Sequence, residues 1–212
     1  MRRIMTVWAV AAAVWPALAV AAVSCTLNDP DKDIRRMFPA STSYKTEFFT
    51  LKEFGGAAAK AKVEGLLGDR LDDEYEAVDI GHAVYSVFKG TTLLGYVAGE
   101  TQRGVYGSIQ IVLAVNPQGD ITDLYFQKLN LPQADRLKAD AFRKQFIGLS
   151  LTDFYFHRQH YPGTAAGCRM DAIANPLSED KIEFQNILRG MMKDLILLDM
   201  FKLNNAHISE EK

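Results

Sequence analysis

Cysteine is scarce, with Cys25 and Cys168 the only two in 212 residues. Two thiols cannot build a multi-bridge scaffold, a four-thiolate zinc site or an iron–sulfur cluster, and no Cys-x-x-Cys-His haem attachment is present. Any redox cofactor must be held some other way. Charge of one sign is also lacking. Lys plus Arg number 24 against 26 Asp plus Glu, interspersed along the chain, which leaves no basic footprint for gripping a phosphate backbone and argues against nucleic-acid binding. Internal repeats, long low-complexity tracts and a Gly-x-Ser-x-Gly nucleophile elbow are missing as well. What remains is a composition of 48% hydrophobic, 24% charged and 10% aromatic residues, ordinary for one globular domain.

The long apolar run lies at the start. Arg2 and Arg3 precede an uncharged stretch rich in Ala, Val and Trp, so residues 1–24 read as a signal peptide or membrane anchor. Three fates fit: cleavage after Ala17-Leu18-Ala19, retention as a single span of about 20 residues, or cleavage just before Cys25. The last is preferred. Ala22-Val23-Ser24-Cys25 resembles a bacterial lipoprotein signal, whose cysteine is lipidated and becomes the new N-terminus, with Ala22 in place of the commoner Leu. All three fates leave the remaining chain outside the cytoplasm, because a short basic start keeps its own end inside, and the preferred one makes it a lipoprotein on the periplasmic side of the bacterial cell envelope, associated with the membrane. The exported part then carries 22 basic against 26 acidic residues. With Cys25 lipidated, Cys168 has no disulfide partner; with cleavage after Ala19, the two are free to pair in an oxidising compartment. The plainest reading of Cys168 is a small buried hydrophobe.

After a polar tether, 25–34, residues 35–212 read as one domain. A helical turn is expected over 33–38, ended by Pro39, and a helix of mixed quality over 50–67, weakened by Gly55 and Gly56. The period then changes. Short strands are expected over 74–80, 83–88, 92–100, 106–115 and 121–129, rich in Val, Ile, Tyr and Phe and separated by Gly or Pro turns. The clearest alternation is Ile109, Ile111, Leu113 and Val115, followed by the turn Asn116-Pro117-Gln118-Gly119-Asp120. Connections this short cannot hold crossover helices, so an antiparallel meander is expected. Helical spacing returns over 134–146, ahead of an aromatic-rich stretch, 149–161. A final long helix is expected with Ser178 as its cap, Glu179 and Asp180 in its first turn, and Ile182, Ile187, Met191, Leu195, Leu198 and Leu203 on its apolar face. The fold class is α+β: an antiparallel meander with helices packed on one face and a long C-terminal helix.

Several constellations carry chemistry on paper. His157 and His160 are spaced to share one helical turn as metal ligands, but no third ligand accompanies them and no metal site is assigned. Ser150, Asp153 and His157 supply the residue types of a hydrolase triad without its elbow. Asp69, Asp72, Asp73, Glu74 and Glu76 lack the spacing of a calcium loop and read as a solvated turn. Gly104-Val105-Tyr106-Gly107 puts two glycines beside a strand, permitting close approach of a ligand or a second backbone, or simply a tight turn.

The order of these parts resembles the extracytoplasmic FMN-binding domain family, which includes flavin-carrying subunits of the Rnf and sodium-pumping quinone reductase complexes and the periplasmic part of the regulator NosR. The resemblance rests on Phe38-Pro39, Leu94-Gly95-Tyr96, Gly104-Val105-Tyr106-Gly107-Ser108-Ile109, the segment Phe142-Arg143-Lys144-Gln145-Phe146-Ile147-Gly148-Leu149-Ser150, and Asp171-Ala172-Ile173 ahead of the final helix. It implies a cofactor site with Tyr106 and Gly107 near the flavin and Asp171, Ala172, Ile173, Ala174, Leu177 and Ser178 forming the opposite wall. The family carries Asp-x-x-Ser-Gly-Ala-Thr there, and its threonine is esterified with FMN phosphate. This chain has Asp171-Ala172-Ile173-Ala174-Asn175-Pro176-Leu177, and Leu177 has no hydroxyl. Lys128-Leu129-Asn130-Leu131-Pro132 likewise replaces the family's Glu-Thr-Pro loop. The resemblance therefore implies a divergent member: a membrane-tethered domain in envelope electron transfer that holds FMN, if any, noncovalently and meets envelope redox proteins. The contrasting expectations are a flavin-free member serving as an assembly or partner-binding lipoprotein, and an unrelated α+β envelope lipoprotein.

Overall fold

The computed structural model describes residues 26–72, 76–160, 167–177 and 180–207. Its centre is a five-stranded antiparallel sheet in chain order: β1 (Ser43–Phe49), β2 (His82–Lys89), β3 (Thr92–Gly104), β4 (Gly107–Val115) and β5 (Ile121–Lys128). From β2 onward consecutive pairing follows from short connections, whereas β1 is joined to β2 through residues 50–81, which include a helix. The β3–β4 register runs from Tyr96 opposite Val115 to Gly104 opposite Gly107, and Asn116 closes the β4–β5 turn by accepting from the amides of Gln118 and Asp120 at 2.9 Å each.

The alternation in β4 divides the interior. Ile109, Ile111, Leu113 and Val115 join one buried cluster with α2 (Ala57–Leu67), α5 (Leu151–Gln159) and α6 (Lys181–Lys202). Val112 and Ala114 point the other way, into a second cluster with Ala83, Tyr85 and Val97. That second face is covered by α1 (Pro30–Met37) through Ile34 and Met37, so the helices do not all lie on one side. The segment expected as a tether is docked over its described part: Leu27 is buried, and its amide donates to the Tyr85 hydroxyl at 3.2 Å.

Other departures from the sequence expectations have local causes. Residues 76–80 form turn and loop, and the fifth strand is β1, an edge strand whose residues are all at least partly exposed. With Lys45 and Glu47 on that edge, β1 lacks the apolar alternation of its neighbours, while its charges protect it from pairing with another chain. The 50–67 helix is broken at Gly55: a 3-10 turn, Leu51–Phe54, ends in Gly55 at φ +115°, and α2 starts at Ala57. Residues 134–146 split into α3 (Ala134–Lys138), α4 (Asp140–Arg143) and a 3-10 turn, Lys144–Phe146. The cap of α6 is Asp180, whose carboxylate accepts from the Glu183 amide at 2.9 Å, and not Ser178, which lies outside the described residues. Gly190 lets α6 sit close to the sheet, since a Cβ there would fall 2.6 Å from Cδ1 of Ile111. Among the described residues no helix is long and apolar enough to cross a membrane. Cys25 also lies outside them.

Candidate functional site

The segment between α5 and α6 is pinned from several sides. Ser150 and Asp153 form a capping box that starts α5, and Arg169 bonds both Asp153, at 3.1 Å, and the Gly148 carbonyl, at 2.8 Å. This holds the 3-10 turn Arg169–Ala172 against the beginning of α5. Further on, the Ala174 amide donates to Gln145 at 2.7 Å and the Leu177 amide to Asn175 at 2.8 Å. Leu177 itself is 1% exposed and packs in the main core.

Between this segment and the outer stripe of α6 lies a cleft of about 490 Å³. Met170 and Ile173 line one side, Phe184 and Leu188 the other, with Asn175 and Lys181 adding polar groups. Apolar walls with a few polar groups, at a volume within the usual range of about 300–1,000 Å³, suit an organic ring system with a polar or anionic end.

Of the residues the family resemblance assigns, Asp171 and Ile173 line this cleft, Ala172 and Ala174 are exposed beside it, and Leu177 faces inward. Ser178 lies outside the described residues. Tyr106 and Gly107 sit at the tip of the β3–β4 hairpin, and neither is among the described residues lining the cleft. The Tyr106 hydroxyl hydrogen-bonds Asp180, and that carboxylate raises the phenol's pKa above its ordinary value. The neighbouring Val105 amide donates to Glu183 at 2.7 Å. The close approach allowed by Gly104 is therefore taken by the protein's own carboxylate: a Cβ at Gly104 would fall 2.6 Å from Oε1 of Glu183. Two acids thus occupy the start of α6, where the helix dipole would otherwise attract a phosphate.

The other constellations are also rearranged. Ser150 and Asp153 serve the α5 cap, while His157 turns to Asp171, its Nδ1 3.2 Å from Oδ1, and to Cys168, 3.5 Å from Sγ. No hydrolase triad forms. His160 bonds the Phe156 carbonyl instead of joining His157. The described members of the acidic run are ion-paired: Asp69 with Arg189, Asp72 with Arg103, and Glu76 with Arg189 and Lys193.

Glu76 leads to a polar cluster that sequence reasoning missed, buried between α6 and the β2–β3 strands. Lys193 is fully buried, bonded to Glu76 and at 2.7 Å to the Thr101 carbonyl, with Glu100 3.7 Å away. Glu100 in turn meets Nδ1 of His82 at 2.7 Å. Asp194, also fully buried, finds no hydrogen-bond partner for either carboxylate oxygen among the described residues, and burial pushes its pKa well above the ordinary value. In the sequence these are scattered charges with no motif spacing, and the one legible hint is the charged pair Lys193-Asp194 set between Met191-Met192 and Leu195-Ile196-Leu197-Leu198.

No family model matches the chain, and neither does any curated protein sequence. The fold is that of NqrC. The crystal structure of NqrC from Shewanella oneidensis is similar to this chain with a TM-score of 0.51 at 15% sequence identity, over 81% of this chain and 87% of that one. The likeness spans most of both molecules.

Proposed function

We propose that this chain is an extracytoplasmic, membrane-tethered domain that binds FMN noncovalently and takes part in electron transfer at the cell envelope. One observation carries the reading: Asp171, Ile173 and Asn175, from the segment where the family resemblance puts flavin attachment, line a cleft of suitable size, while Leu177, at the attachment position, is buried and has no hydroxyl. The NqrC fold supports the same reading. Bound FMN would supply the electron-carrying chemistry. The chain's own part is to enclose the ring between Ile173, Phe184 and Leu188, keep water from it, and offer Lys181 to the phosphate in place of the helix start that Asp180 and Glu183 occupy.

The second reading, a flavin-free member that binds a partner, is favoured by those two acids. One experiment separates them. The full chain, expressed in a bacterium with a flavin transferase, is purified, and its visible spectrum and intact mass are recorded before and after denaturation. Yellow colour released by denaturation supports noncovalent FMN. Colour retained with the added mass of FMN overturns the noncovalent reading, and a colourless protein that takes up no added FMN moves the assignment to the partner-binding role.

A further inference from the structure

We propose that His157, Cys168 and Asp171 form a binding site for a divalent d-block cation, best matched by Zn²⁺. His157 comes from α5. Cys168 and Asp171 flank one short turn, in which the Asp171 amide donates to the Cys168 carbonyl at 3.2 Å, and Arg169 ties that turn to Asp153 and Gly148. The three side chains offer one sulfur, one nitrogen and one oxygen, all within 4.8 Å of one another. Thiolate, imidazole and carboxylate together make a borderline-soft set that suits Zn²⁺ better than Mg²⁺ or Ca²⁺.

The distances fit an ion in their midst. Ordinary zinc bond lengths and a tetrahedral angle put sulfur and nitrogen about 3.6 Å apart and nitrogen and oxygen about 3.4 Å apart. Here the separations are 3.5 Å and 3.2 Å. The sulfur–oxygen edge, at most 4.8 Å, closes to about 3.6 Å by rotation of the exposed Asp171 side chain.

Hydrogen bonding accounts for the arrangement less well. Both the thiol and the carboxylate approach the same ring nitrogen, Nδ1, which carries at most one proton. A nucleophile relay needs thiol and carboxylate on opposite nitrogens of the ring, so the cluster is not a Cys–His–Asp triad. A cation instead takes a lone pair from each of the three. Binding releases the Cys168 proton to solvent, since the thiolate is the ligand. Three protein ligands leave a fourth position for water or a small ligand, and His157 and Asp171 both line the cleft. Nothing in this site requires flavin, so it stands or falls separately from the reading above.

The test uses the full chain, stripped of metal with a chelator and titrated with Co²⁺, then with Zn²⁺ in competition. One Co²⁺ per chain is expected, with a thiolate-to-cobalt charge-transfer band and the intense visible bands of four-coordination, all displaced by Zn²⁺. Cys168→Ser should abolish the charge-transfer band, and His157→Ala and Asp171→Asn should each weaken Co²⁺ binding by more than about tenfold. In the unaltered protein Zn²⁺ should protect Cys168 from iodoacetamide, read on its own peptide by mass so that Cys25 does not interfere. That arm needs no variant to fold. Co²⁺ binding without a charge-transfer band, or equal alkylation of Cys168 with and without Zn²⁺, overturns the proposal.

Discussion

The carboxylate of Glu76 closes on the ammonium of Lys193, 117 positions further along the chain, with both side chains buried beneath α6. The pair joins the irregular 76–80 loop to the middle of the longest helix, and Arg189 reinforces it at 3.3 Å from the same carboxylate.

Removing the cation should be costly, because Glu76 and Glu100 would remain buried around an uncharged side chain. Lys193→Met is expected to lower the free energy of unfolding by about 3–5 kcal/mol, measured by urea denaturation. Adding Glu76→Gln should recover part of the loss. Equal losses in the single and double variants would show that the lysine's packing, and not its charge, matters.

Asp194 predicts the opposite behaviour. Its folded pKa is raised, by burial first and Glu100 second, so above the ordinary value of 3.8 the unfolded chain releases a proton that the folded chain retains. Stability attributable to this group therefore falls as pH rises from that value toward the folded pKa. Asp194→Asn, which keeps the shape and cannot ionise, should match the wild type in acid and exceed it at higher pH. Unfolding measured across that range checks it; a variant less stable than wild type at neutral pH would mean that Asp194 is ionised and paired.

Leu177→Thr puts a hydroxyl at the family's attachment position, yet the side chain packs in the core. A loss of about 1–3 kcal/mol is expected from the buried hydroxyl and the lost packing. The intact mass, even with a flavin transferase present, should show no added FMN. Covalent flavin on this variant would mean that the segment turns outward.

Gly104→Ala drives a methyl toward Oε1 of Glu183 and Cδ1 of Ile109, at 2.6 and 2.8 Å. Destabilisation of about 1–3 kcal/mol is expected. In the Glu183→Ala background the penalty should shrink, which a double-mutant cycle on thermal or urea unfolding measures.

Periodicity by itself determined strands β2 to β5 of the meander and the long final helix, because their residues alternate or recur against a core that buries them. The α+β class followed from short connections that admit only antiparallel pairing. Edge strand β1 was illegible for the converse reason: it buries none of its residues fully, so no apolar rhythm marks it. The sequence pattern puts the cap of the final helix at Ser178 and Asp180 in its first turn, but in the fold α6 starts at Lys181 and Asp180 is its cap. The candidate site divides the same way. That Leu177 lacks a hydroxyl is plain in the sequence, but its burial, and the hold that Asp180 has on the Tyr106 hydroxyl, are not. The convergence of His157 with Cys168 and Asp171, and of Glu76 with Lys193, was decided only in three dimensions. Contacts between side chains far apart in sequence leave no local pattern, since their energy depends on burial and distance that only the packed chain creates.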